Sequence, residues 1–173
     1  MSKEKNYKDY INEIQDFPTE GVSFKDISPL LKHGNMYRLA LMDMLQGHNN
    51  DLWAGIESRG FLIASGLSQI NGGGIVLIRK KDKLPPPVCS TTFKTEYSYE
   101  SLEIQPNTAE HRQSVVLVDD VLATGGTLKA SYDLLIQNGY DVVGIGVLID
   151  LLYLHEKDFN IEGHKVSSVI QYE

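Results

Sequence analysis

Short unbroken apolar runs alternate along this chain with stretches in which apolar residues recur every three or four positions, a rhythm that predicts strands and helices in turn. From Tyr7, the residues Tyr10, Ile11 and Ile14 keep one side of a short amphipathic helix, closed by Pro18. Phe17 to Leu31, FPTEGVSFKDISPLL, holds Gly21 and two prolines and reads as a stiff irregular segment. Leu39, Met42 and Leu45 mark one face of a helix from Asn35 to His48, with Asn35 as its cap. Leu52 to Ile56 is a strand, Phe61 to Ile70 a helix, and Ile75 to Ile78 a strand reached through the glycine-rich turn Asn71 to Gly74. Thr91 to Ile104 is polar, aromatic and β-prone, as a surface hairpin would be. Val115 to Val118 is a β-branched run of the kind a parallel sheet buries on both faces. Leu128 to Asn138 is a helix stopped by Gly139, and Asp141 to Ile149 a further buried strand. Such alternation predicts one α/β domain over residues 1–173, a mainly parallel sheet flanked by helices with right-handed crossovers.

Composition narrows the class without changing this picture. The 173 residues are 42% apolar and 23% charged, ordinary for a globular chain. A net charge of −7 argues against a general nucleic-acid binder, whose affinity rests on clustered Lys and Arg. The single Cys89 excludes an internal disulfide, and no Cys or His cluster has zinc-site spacing. MSKEKNYKDY lacks the apolar centre of a signal peptide, and no run is long enough to cross a membrane. The expectation is a cytoplasmic protein with no membrane partner.

The candidate chemistry gathers in Val115 to Thr127, VVLVDDVLATGGT. The strand ends on Asp119 and Asp120, and the crevice beyond the carboxyl ends of parallel strands is where open α/β sheets hold ligands. Ala123, Thr124, Gly125, Gly126 and Thr127 then form a small-residue turn before a helix. Its N–H groups and the helix's positive end suit a phosphate. Acids beside that cup repel bare polyphosphate but accept the hydroxyls of a sugar phosphate. No lysine follows Gly126, so this is not an ATP-type loop. A second strand–turn–helix, at Glu57, Ser58, Arg59 and Gly60, predicts a second anion cup in which the guanidinium of Arg59 can grip phosphate oxygens.

The stretch resembles the phosphoribosyl pyrophosphate signature of the type I phosphoribosyltransferases, and FPTEGVSFKDISP resembles the N-terminal hood of the adenine-specific branch. That resemblance covers nearly the whole chain, the terminal VSSVIQYE included, and divides it into a hood over about residues 1–34 and a core over about 35–173. It implies transfer of phosphoribose to adenine, giving AMP and pyrophosphate, in a homodimer using Mg2+ carried mainly on substrate phosphates, with no protein ligand named. Phe24 would stack on the base, with Ser23 and Lys25 reading its edge through backbone groups and Leu154 forming the far wall. The E-S-R-G-F loop, with a strained peptide before its arginine, and the R-K-x-x-K-L-P run would assign pyrophosphate to Glu57, Ser58, Arg59, Arg79 and Lys83. Asp82 and Pro86 replace the usual glycines there. In a flexible β lid, Glu96 and Tyr97 fall on the catalytic pair, with Thr95 and Ser98 departing from the pattern and Glu100 and Glu103 as rival carboxylates. An enzyme for hypoxanthine, guanine or xanthine would share the sugar-phosphate site. A non-catalytic phosphoribosyl pyrophosphate sensor would add a DNA-binding element, for which the sequence offers no spare segment.

Overall fold

The computed structural model of the chain describes residues 6–45, 47, 49–94, 99–109 and 111–173. A 3-10 turn at Tyr7–Tyr10 precedes β1 (Asn12–Ile14) and β2 (Phe24–Asp26), an antiparallel pair, and the helices α1 (Ser28–Lys32) and α2 (Gly34–Met44). Then come β3 (Leu52–Ile56), α3 (Arg59–Asn71) and β4 (Gly74–Lys80), followed by an antiparallel ribbon of β5 (Cys89–Lys94) and β6 (Tyr99–Ile104). β7 (Ser114–Leu122), α4 (Gly126–Gln137), β8 (Asp141–Leu151), a 3-10 turn at Leu152–Leu154, β9 (Asn160–Ile161) and β10 (His164–Tyr172) complete the chain. Among the described residues the large sheet has eight strands in the order β5-β6-β4-β3-β7-β8-β10-β9. Its centre is parallel and its two ends are antiparallel.

That order places the site. β3 leaves through α3 to β4 on one side, whereas its neighbour β7 leaves through α4 to β8 on the other. The chain therefore reverses its winding between β3 and β7, and the ends of those two strands flank a switch-point crevice. β7 is buried on both faces, as its sequence predicts. Val115 and Leu117 pack with Leu128, Leu134 and Leu135 of α4, whereas Val116 and Val118 pack with Trp53, Leu41, Ile63 and Leu67. Each such side chain contributes about 1.5–3 kcal/mol, so the strand that presents the two acids is held firmly.

Three expectations fail locally. Tyr7 to Ile14 is not a helix: only Tyr7–Tyr10 coils, and Asn12, Glu13 and Ile14 pair with Asp26, Lys25 and Phe24. A segment this short cannot offset helix nucleation; burial of Tyr7 and Ile11, and the Tyr7 hydroxyl's bond to Asp43, set its course instead. The same pairing makes Phe24–Asp26 a strand inside the segment expected to be irregular. α2 starts at Gly34 and ends at Met44, with His33 Nδ1 accepting from Met36 N at 3.4 Å in place of an Asn35 cap.

Candidate active site

Two strand-to-helix turns converge at the end of the β3–β7 pair. After β3, the Glu57–Ser58 peptide is cis and α3 begins at Arg59, so Arg59 belongs to a helix's first turn rather than to a preceding loop. Gly60 permits the approach: a Cβ there would lie 3.0 Å from both Asp119 Oδ1 and the Val118 carbonyl oxygen. After β7, Gly125 turns the chain into α4 with φ of 82°, a left-handed conformation that glycine adopts without a Cβ penalty. Both helices start at this end of the sheet, so both positive termini belong to it. Between the turns is a cleft of about 490 Å³ lined by Ile56, Glu57, Ser58, Arg59, Lys80, Glu100, Leu102, Asp119, Asp120 and Thr127. Thr124, Gly125 and Gly126 border an adjoining hollow of about 550 Å³ with Lys129 and Phe159.

Charge in the cleft is organised around Arg59. Its Nε lies 2.8 Å from Asp120 Oδ2, its Nη1 donates to the Lys25 carbonyl at 3.5 Å, and its Cζ sits 4.9 Å from the centre of the Phe24 ring. Asp120 N donates to Asp119 Oδ1 at 2.9 Å. Burial, and then the adjacent charge of Asp120, push the Asp119 carboxyl well above the ordinary carboxylate range. Asp120 is also raised by burial, against the pull of Arg59. The two acids are thus unequal: Asp120 carries the ion pair with Arg59, and Asp119 binds a proton more readily than an ordinary carboxyl.

The basic run after β4 is ordered by Glu57. Arg79 donates through Nε at 3.3 Å and Nη2 at 3.2 Å to the two Glu57 oxygens, and Lys80 N donates to Glu57 at 3.0 Å. Burial works against the charge on Glu57, but these bonds hold its carboxyl below the usual range. Arg79 Nη1 also donates to the carbonyl of Lys83, whose side chain is exposed. Asp82 occupies the left-handed region, φ of 63°, where the resemblance has a glycine; its N–H donates to buried Glu103 at 3.0 Å. Glu103 is therefore a turn-holder, and Glu100 pairs with Lys80 at 3.8 Å across the cleft rim.

The residues expected to meet the base are placed unevenly. Phe24 faces Arg59 and also packs edge-on to Phe17, centroids 5.2 Å apart. The Lys25 side chain is buried, pairing with Glu13 at 2.7 Å, donating to Ser23 Oγ at 3.2 Å, and standing 4.3 Å from the centre of the Tyr172 ring; only its carbonyl faces Arg59. Leu154 is 43% exposed, and Ala123 packs against the α1–α3 core cluster. Glu96 and Tyr97, with Thr95 and Ser98, lie outside the described residues. Sequence reasoning missed Lys80 in the cleft and Phe159 behind the turn; the +2 alternation along β4 and β6 carried a weak signal for the first and nothing local signalled the second.

Comparison with known proteins adds an independent line. A family model described as the phosphoribosyl transferase domain matches residues 31–168. An adenine phosphoribosyltransferase of Bdellovibrio bacteriovorus is 39% identical over 168 residues, spanning 95% of this chain and 98% of that one. The solved adenine phosphoribosyltransferase of Thermoanaerobacter pseudethanolicus matches with a TM-score of 0.88 at 39% identity, over 95% of this chain and 97% of that one. The corresponding Giardia lamblia protein, solved in complex with 9-deazaadenine, matches with a TM-score of 0.84 at 32% identity, over 96% of each.

Proposed function

The chain belongs to the phosphoribosyltransferase family, and from that membership we propose that it is an adenine phosphoribosyltransferase of purine salvage, forming AMP and pyrophosphate from adenine and phosphoribosyl pyrophosphate. One observation carries the reading at the level of residues. Arg59 touches both the Phe24 ring and Asp120, so a base-stacking face, an anion-binding guanidinium and a hydroxyl-binding acid stand in one line of contact.

Departure of pyrophosphate leaves positive charge on the ribose ring and adds negative charge to the leaving group, so catalysis requires charge placed for both. Asp119 and Asp120 accept the ribose hydroxyls, and the N–H groups of residues 123–127 cradle the 5′-phosphate, which fixes C1 for attack by N9. Ser58, Arg59, Arg79 and Lys83 hold pyrophosphate, with Glu57 orienting the Arg79 fork. Phe24 stacks on adenine beneath a hood formed by the N-terminal segment, about residues 1–34, while backbone groups of Ser23 and Lys25 read its edge and Leu154 closes the far side. Glu96, with Tyr97, manages the base proton from a lid over the joined substrates. Mg2+ carried on the substrate's phosphates would supply further positive charge to the leaving group.

Two assignments accompany this reading. Ile75 and Leu77 lie on one face of β4 and are 41% and 42% exposed, with Leu62 of neighbouring α3 47% exposed; this apolar stripe supports a homodimer. No helix among the described residues is long and apolar enough to cross a membrane, and we place the protein in the cytoplasm with its small-molecule substrates. The deciding experiment offers adenine, hypoxanthine, guanine and xanthine in turn with phosphoribosyl pyrophosphate and Mg2+, following pyrophosphate release. Adenine should lead by at least 100-fold in kcat/KM; preference for an oxopurine, or no turnover with any base, overturns the proposal.

A further inference from the structure

Gly125 is packed from behind. A Cβ at this position would run into the ring of Phe159, which stands against the turn that precedes α4. Phe159 belongs to the segment that leaves β8 and folds back, its N–H donating to the Glu156 carbonyl at 3.2 Å. His155 lies beside it, with ring centroids 5.2 Å apart. Its Nε2 is 2.7 Å from Asp150 Oδ1, and its Nδ1 is 3.0 Å from the Glu156 carbonyl oxygen. A carbonyl and a carboxylate can only accept, so both ring nitrogens must carry protons and His155 is an imidazolium. The pair is deeply set, with side chains 5% and 8% exposed.

We propose that Phe159 is a positioning residue for the phosphate-binding turn, and that the Asp150–His155 ion pair holds it there, so that loss of the His155 proton loosens the grip on phosphoribosyl pyrophosphate. The inference rests on reading residues 123–127 as the 5′-phosphate cup. Hydrogen bonds from backbone N–H groups weaken steeply as angle and distance drift, and Gly125, in its left-handed conformation, has no side chain of its own to anchor it. The Phe159 ring is what fills that space. Deprotonation at Nε2 would set a lone pair against the Asp150 carboxylate in a buried place, and the segment carrying Phe159 would lose its fastening to β8.

The surrounding charges allow the proton to stay. Lining the same hollow as His155 are Asp150 from β8, Lys165 from β10, Glu173 just beyond β10, and Lys157 and Asp158 on its own turn; three carboxylates against two ammonium groups do not expel a cation. Burial works to lower the imidazole's pKa, but the Glu156 carbonyl and Asp150 outweigh it and raise it above the ordinary value. A raised histidine pKa means the contact is complete below the ordinary value of about 6.5 and is lost as pH rises through the raised one.

The test compares the parent enzyme with Phe159→Ala, Phe159→Leu and His155→Gln in steady-state kinetics, varying each substrate separately from pH 7 to 9.5, where the substrate's phosphates, with a second pKa near 6, stay ionised. AMP formation by the parent secures the underlying reading; a parent that forms none defeats that reading itself. Given an active parent, Phe159→Ala should raise KM for phosphoribosyl pyrophosphate at least tenfold with KM for adenine within twofold, and Phe159→Leu, which keeps an apolar prop, should recover to within threefold of the parent. The parent's KM for phosphoribosyl pyrophosphate should climb with pH, and that of His155→Gln should start high and stay flat. Equal KM changes for both substrates in Phe159→Ala and His155→Gln, unchanged values in both, or a parent whose KM does not move across this pH range would overturn the inference.

Discussion

Replacing Asp119 with Asn alters one of the two cleft acids while keeping its shape, and so separates what its oxygens do for catalysis from what its ionisation does to the fold. Oδ1 of the amide can go on accepting from Asp120 N, which now bonds Asp119 at 2.9 Å, and the amide N–H can donate where the protonated acid does. Asp119 in the fold binds its proton well above the ordinary range because of burial and the charge on Asp120. In the unfolded chain it ionises near the usual value of about 3.9. Above that pH the unfolded state has released a proton that the folded state retains, so the parent is destabilised as pH rises through the window between the two values. Each unit of elevation is worth about 1.4 kcal/mol, or roughly 3–5 °C in Tm for a chain of this size. Asp119→Asn removes that penalty and should melt above the parent at pH 7.5, the difference closing as pH falls towards about 4. The same change sets an amide N–H, a donor, where an acid oxygen would accept from a ribose hydroxyl; a buried hydroxyl left without its acceptor costs about 1–3 kcal/mol, so kcat/KM should fall by about 5- to 150-fold. Calorimetric melting at both pH values, beside steady-state rates, reads both effects. A variant no more stable than the parent at pH 7.5 would refute the account of the unequal acids, and one retaining rates within threefold would remove Asp119 from the ribose site.

Arg59→Ala should weaken product inhibition by pyrophosphate by about 10- to 150-fold, the worth of charge-assisted phosphate bonds; inhibition constants within twofold of the parent would exclude the guanidinium from that role. Glu96→Gln should lower kcat about 100-fold or more, the scale of acid–base assistance, while leaving affinity for phosphoribosyl pyrophosphate within a few-fold, as product-trapping and equilibrium binding would separately report. Lys25→Met breaks the Glu13 pair and the contact with the Tyr172 ring, so the strand carrying Phe24 should lose its register against β1. KM for adenine should rise about threefold or more with KM for phosphoribosyl pyrophosphate unmoved, and the reverse pattern would show that the side chain serves the phosphate end.

What could be read from the sequence was whatever a local pattern encodes. Val115–Val118 announced a strand buried on both faces because both of its faces are apolar, and TGGT announced a turn because small residues before an amphipathic helix have few other uses. The two strand-to-helix turns were legible for the same reason, and their meeting in one cleft follows from the switch point between β3 and β7. Three kinds of feature were not legible. Asn12–Ile14 pairs with Phe24–Asp26 rather than coiling, because burial of Tyr7 and Ile11 outweighs a weak helical period. Lys25 turns its ammonium away from the cleft towards Glu13, a cross-strand choice that exists only once the pairing exists. Phe159 meets Gly125 through a fold-back of the chain that no spacing rule anticipates. Asp82 shows the converse: the backbone demands the left-handed region there, and an acid supplies it where a glycine would do so more freely.

The position of Arg59 also bears on the order in which substrates enter. Asp120 cannot both neutralise Arg59 at 2.8 Å and accept a ribose hydroxyl through the same oxygen, and the Phe24 ring cannot stack on adenine while the guanidinium lies 4.9 Å from its centre. A guanidinium over an aromatic face is worth about 0.5–1 kcal/mol where exposed, and more when desolvated, so a base alone must displace a contact comparable to part of what it gains. On the proposed assignments phosphoribosyl pyrophosphate exchanges these contacts instead of losing them: its hydroxyls would replace Arg59 at Asp120, its pyrophosphate would replace Asp120 at Arg59, and the exchange would leave the Phe24 face open. The sugar phosphate should therefore bind first, with adenine binding at least tenfold more weakly to the protein alone than to the protein saturated with pyrophosphate and ribose 5-phosphate. In Arg59→Ala that dependence should disappear, since nothing then covers the ring. Calorimetric titration of adenine into both proteins, with and without the sugar phosphate, decides it: tight adenine binding by the parent alone, or an unchanged dependence in the variant, would show that Arg59 does not govern access to Phe24.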